Sequence, residues 1–170
     1  MGSLSGGGFD GEAQHDEEGK VFEKQAWMQR AGEYPQSDEQ YFALLSRAVF
    51  SAGLGPKVVE SRWQDMGEAF HGFDPAEVLK MDEQDVERLL GDKKVIRNRR
   101  KIEAVITNAG IFMEQAGASG SFHEYLARMG ADQDLDAAAE ELTATFTHLG
   151  RTSALFFLFS AGWRPKEEAA

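Results

Sequence analysis

The chain contains no cysteine. That excludes disulfides and thiolate metal sites, and it suits a reducing, cytoplasmic setting. Histidine is almost as scarce: His15, His71, His123 and His148 are scattered without ligand spacing, so neither a metal nor another cofactor is expected. No apolar run approaches the roughly 20 residues of a bilayer span, and no charged-then-apolar leader opens the chain, so no membrane partner is expected. Positive charge is the remaining scarcity. Eighteen Lys and Arg stand against 29 Asp and Glu, a formal charge of −11. Global charge alone speaks against a nucleic-acid partner.

What is present suits one globular domain: 170 residues, 42% hydrophobic, with 12 Phe to build a core. Residues 1–31 read as a flexible acidic, Gly-rich tail, since the first 20 hold six Gly and five acids with little to bury. Residues 32–165 form the helical domain, and 166–170 are expected to be disordered. Within the domain, Gly, Pro and Asp punctuate amphipathic stretches and no useful strand alternation occurs. Ser37 with Gln40 reads as a helix N-terminus, followed by Tyr41, Leu44, Leu45, Ala48 and Val49 at helical spacing up to Gly53. Pro56 opens a second helix striped by Val58, Val59, Trp63, Met66 and Phe70. Asp74-Pro75 and Asp82 open two short helices, and a long one runs from about Arg97 to Ala116. Ser121 to Met129, Leu135 to Phe146 and Arg151 to Ala161 complete an all-α fold of seven or eight helices.

Two stretches resist a purely structural reading. Lys93, Lys94, Arg97, Arg99, Arg100 and Lys101 put six cations into nine positions, leaving 12 basic residues against 29 acidic elsewhere, a balance of −17. A helix start is positive by its dipole and favours acids, yet this one opens RNRRK. The cost points outward to a polyanion, with Asn98 and first-turn N–H groups adding donors to the same phosphates. The plainer alternative is a solvated helix face. The second stretch is FTHLGRTSALFF, residues 146–157. Phe146, Gly150, Ala154 and Phe157 match a helix-hairpin-helix motif, whose Gly turn aims backbone N–H groups at a phosphate; His148 stands where the motif's first Gly belongs. Either the turn is distorted or His148 adopts an unusual backbone angle. An ordinary αα-hairpin is the plainer alternative here.

The segments SDEQYFALLSRAVFSAGL, VVESRW, EAFHGFDPAEVLKMDEQDVERLL and VIRNRRKIEAVITNA resemble, in order and spacing, the constitutive DNA-3-methyladenine glycosylase I family. The resemblance covers about residues 32–162. It implies a helix-hairpin-helix DNA glycosylase-like bundle, monomeric, that flips an alkylated base out of double-stranded DNA and hydrolyses its glycosidic bond. Arg97, Asn98, Arg99, Arg100 and Lys101, with His148, Gly150, Arg151 and Thr152 of the hairpin, are then the DNA-binding set. The base pocket is expected between the first two strong helices, lined by Tyr34, Tyr41, Ala48, Leu54 and Trp63, with Glu60 the candidate catalytic carboxylate. Leu54, at a Gly-flanked tip, could plug the gap left by a flipped base. Packing is the alternative for each of these.

Several positions depart from the family pattern. Ala48 replaces the Glu that recognises the methylated base, and Gly55-Pro56 occupies the place of its stacking Trp. The family's Cys and His zinc ligands are absent. Thr152 stands where lyase members of the wider superfamily carry Lys, so no Schiff-base step is expected. The expected function is a monofunctional glycosylase acting on alkylated purines of the 3-methyladenine type in base excision repair. The alternatives are a non-catalytic DNA-binding module of the same fold that recognises distorted or damaged duplex, and a protein-interaction role with no nucleic acid.

Overall fold

The computed structural model describes residues 13–15, 21–23 and 28–164. Much of the tail read from composition, and the last residues 165–170, lie outside them. Within that tail Ala13–His15 pairs antiparallel with Val21–Glu23. The sequence reading anticipated no strand there, because three residues are too few for an alternation to register.

Eight α-helices follow among the described residues: α1 Asp38–Ser51, α2 Pro56–Ala69, α3 Pro75–Leu79, α4 Glu83–Leu90, α5 Arg99–Ser119, α6 Phe122–Arg128, α7 Leu135–Thr145 and α8 Arg151–Ser160. A 3-10 turn at His71–Phe73 joins α2 to α3. Their starts are written in capping side chains. Ser37 Oγ accepts from Gln40 N and Asp74 from Ala76 N, while Asp82 and Asp85 form a reciprocal capping box. Ser121 and Asp134 cap α6 and α7 in the same way.

The core is a single aromatic-rich cluster. Phe112 stacks on Phe122 at 4.1 Å, Phe70 on Phe73 at 5.4 Å, and α8 lies centrally with Ala154, Leu155, Phe157 and Leu158 buried. An all-round apolar helix needs such a central berth. Tyr41 near the start of α1 meets Phe157 and Trp163 at the end of α8. These contacts pack the start of α1 against α8 and the residues that follow it.

The docked chain begins at least at Met28, which is buried. Gln29 N donates to Ser160 O and Gly32 N to Gly162 O, while Arg164 donates to Phe159 O and Trp163 O. Gly162 is obligatory in this clasp. Its φ is 93°, and a Cβ would sit 2.7 Å from Glu33 O and 2.9 Å from Arg30 O.

Candidate nucleic-acid interface

The basic stretch is held rigidly by its neighbours before its cations are considered. Val95 and Ile96 are buried, Ile96 N lies 3.3 Å from Met66 Sδ, and Arg62 donates to Lys93 O at 2.8 Å. Around this buried pair Lys93, Lys94, Arg97 and Arg100 are exposed. None of these four is ion-paired to another described residue.

The other three members of the predicted set are committed to the protein. Asn98 is the N-cap of α5, its Oδ1 accepting from Lys101 N at 3.1 Å. Arg99 is gripped by Glu83 and Glu103, at 3.0 and 3.1 Å, and by Glu87. These bonds raise its pKa above the usual arginine value, led by the one to Glu83. Lys101 turns inward, 8% exposed, and donates from Nζ to Phe50 O at 3.1 Å and to Ala52 O. Arg99 and Lys101 thus turn to partners within the protein instead of the expected phosphates, while Asn98 caps through its Oδ1 and stays exposed. The cost of cations at a helix start is met by three acids from α4 and α5 and by the carbonyl-rich end of α1. Arg97 and Arg100 keep the outward role.

Asn108, two turns after Lys101 on α5, fixes the hairpin. It is buried, donates to Thr147 O at 3.0 Å, and accepts from Thr147 N at 2.9 Å and from Thr147 Oγ1 at 3.1 Å. Seven residues along a helix is about 10 Å on one face, so the end of α1 and the hairpin share one side of α5 at that spacing. The hairpin itself runs from α7 through Phe146–Gly150 into α8. His148 has φ 54°, so it takes the left-handed backbone where the motif has Gly. His is among the few residues that tolerate this region. His148 and Gly150 are exposed, and Gly150, the α8 N-cap, supplies no side chain to the first-turn N–H groups. Arg151 pairs with Asp136 at 2.5 Å, so its charge is partly spent inside the protein, and Thr152 follows it, exposed, in the first turn of α8.

The aromatic residues expected to line a base pocket fall into two clusters. Tyr41 is buried, its hydroxyl accepting from Trp163 Nε1 at 3.2 Å and lying 2.8 Å from His123 Nδ1. Burial, with Tyr34 and Asp38 adding to it, raises its pKa. Tyr34 packs on Trp163 at 4.4 Å and on His123 at 4.8 Å. Trp63 belongs to a different cluster, stacked on Phe73 at 4.7 Å with the Arg47 guanidinium 5.2 Å from its ring centre. Trp63 remains partly exposed beside these two partners. Arg47 is buried, which lowers its pKa to about 10, and the charge of Glu60 works against that fall. Glu60 is exposed on α2, near enough for its charge to act on Arg47. Ala48 is 1% exposed in the seam of α1. Of the apolar and aromatic residues in the predicted set, Leu54 is the most exposed, at 42%. Trp163, His123 and Arg47 escaped the sequence reading. Each stands inside or beside an apolar run, where nothing separates a pairing side chain from a packing one. Among the described residues no group of three or more acids or His could hold a metal ion, and no helix is long and apolar enough to cross a membrane.

The methyladenine glycosylase family model matches residues 13–155. DNA-3-methyladenine glycosylase 1 of Escherichia coli is 40% identical over 86 residues, which cover 49% of this chain and 46% of that protein. The DNA-3-methyladenine glycosylase of Haemophilus influenzae is 31% identical over 93 residues, covering 54% and 50%. The chain thus spans about half the length of the curated relatives it matches. Among solved structures, 3-methyladenine DNA glycosylase I from Staphylococcus aureus superposes with a TM-score of 0.70 at 27% identity, covering 80% of this chain and 82% of the other. A variant of 3-methyladenine DNA glycosylase I in complex with 3-methyladenine gives 0.70 at 28% identity, covering 80% and 81%.

Proposed function

The chain belongs to the methyladenine glycosylase family, and from that premise we propose that it is a monofunctional DNA glycosylase of base excision repair. It binds duplex DNA as a monomer and hydrolyses the N-glycosidic bond of alkylated purines of the 3-methyladenine type. The observation that carries this reading is the shared rim. Exposed Arg97 and Arg100, the hairpin around Gly150 and the Leu54 tip are joined through one helix, α5, by the contacts of Lys101 and Asn108. Two cationic side chains and a row of first-turn N–H groups fit a phosphate backbone. An apolar tip between them fits the gap in the stack.

The chemistry required is modest. An N3-methylated purine leaves as a neutral base from a cationic nucleotide, so its bond is already weak. Extruding the nucleotide and holding it away from the stack supplies most of what catalysis needs. This suits a chain with Ala48 in place of a pocket carboxylate. Thr152 in α8 has no amine, so the product is an abasic site with both strands intact. Methylated duplex incubated with the protein should therefore break only after alkali treatment, and borohydride should trap no covalent complex. Breaks before alkali, or a trapped adduct, would contradict the monofunctional assignment.

A further inference from the structure

The carbonyls at the end of a helix lack intrahelical partners and must find donors elsewhere. At the end of α1, Ser51 O is met by Leu54 N at 3.0 Å and Gly55 N at 3.1 Å, and Arg47 O by Ser51 Oγ at 2.7 Å. Phe50 O and Ala52 O are met by a residue 49 to 51 positions away in sequence, the Lys101 ammonium. A cation there also complements the negative end of the α1 dipole. The turn that follows is held by its own backbone bonds to Ser51 O and stands clear of other atoms at both glycines. Gly53 and Gly55, with φ of 81° and 91°, flank Leu54, and a Cβ on either would touch nothing within 4 Å.

We propose that Lys101 is a positioning residue: by binding the last carbonyls of α1 it sets the Leu54 turn against the phosphate-binding start of α5, so that a destacked site is distinguished from intact duplex. The inference rests on the DNA reading above. It divides the basic cluster by task. Arg97 and Arg100 supply sequence-independent grip, and Lys101 supplies the geometry that makes the tip fit a gap. One link, α5, carries both. The tip and the grip are therefore held in fixed register, as a probe for a gap between flanking phosphates requires.

The test uses two duplexes of one sequence, intact or carrying a tetrahydrofuran abasic analogue, each titrated across a range of salt. Wild type should prefer the abasic duplex. Lys101→Met keeps length and packing but removes the donor. It should lose that preference by about ten-fold, the equivalent of about 1.4 kcal/mol, while its affinity for intact duplex and its salt slope stay as in wild type. Leu54→Ala should show the same signature, and the double variant should add little to either, because both act through one turn. A salt slope reduced by about one in Lys101→Met would mark Lys101 as a phosphate contact and overturn the proposal. Retained preference for the abasic duplex would overturn it equally. If wild type binds neither duplex, the DNA reading fails, and the inference fails with it. Should Lys101→Met not fold, amine labelling of wild type decides. Lys101 should be unreactive with and without DNA while Lys93 and Lys94 become protected by it; a Lys101 reactive in free protein and shielded by DNA would contradict the assignment.

Discussion

Replacing Arg97 and Arg100 together with Ala should weaken binding to every duplex sequence and reduce the salt slope by close to 2 units, about 0.9 per lost phosphate contact. At physiological salt this corresponds to roughly a thirty-fold loss of affinity. Both guanidinium groups are exposed and neither is ion-paired to another described residue, so folding should be unaffected. Arg99→Ala is the control from the same helix turn. Its charge is bound by Glu83, Glu87 and Glu103, and it should leave the slope unchanged. A slope that falls in the Arg99 variant and not in the double variant would reverse the division of labour described here.

Ala48→Glu should destabilise the protein rather than restore a family-like pocket. The position is 1% exposed, within the core cluster. Its neighbour Arg47, the nearest cation in sequence, is turned toward Trp63. A carboxylate placed there is desolvated without a partner, at a cost of about 3 kcal/mol after relaxation. For a chain of this size the melting temperature should fall by about 6–12 °C. An unchanged melting temperature together with faster release of methylated base would show that the α1–α8 seam opens into a pocket that can seat the acid.

The legible part of this protein was local. Ser37, Asp74, Asp82 and Ser121 announce helix starts through hydrogen bonds spanning two or three residues, and the structure places a cap at each. The hairpin was equally readable, because Gly150 and the Phe146, Ala154 and Phe157 spacing are contained in 12 consecutive positions. His148 resolved one alternative left open by the sequence: it accepts the left-handed angle instead of distorting the turn. The basic cluster is legible as a concentration of charge, but the direction each side chain takes is not. A long cationic side chain can reach partners from any element that folds beside it. Lys101 finds carbonyls 49 to 51 residues away and Arg99 finds acids 12 and 16 residues back. No spacing rule in one sequence encodes such pairs. Which aromatics are sealed by packing is illegible for a related reason. Tyr41 and Trp63 lie on helical stripes, and periodicity cannot say which side of a stripe meets a neighbour and which meets a void. Tyr41 is sealed by Trp163 and His123, from segments 122 and 82 residues away.

That this rim serves base excision is tested most directly by incubating the protein with DNA methylated in vitro and identifying the released bases by chromatography. The account predicts release of 3-methyladenine with the duplex strands intact, at a rate that falls when Arg97 and Arg100 are both replaced. Tight, salt-dependent binding to the same DNA with no base released would contradict it and leave a damage-recognition module in its place.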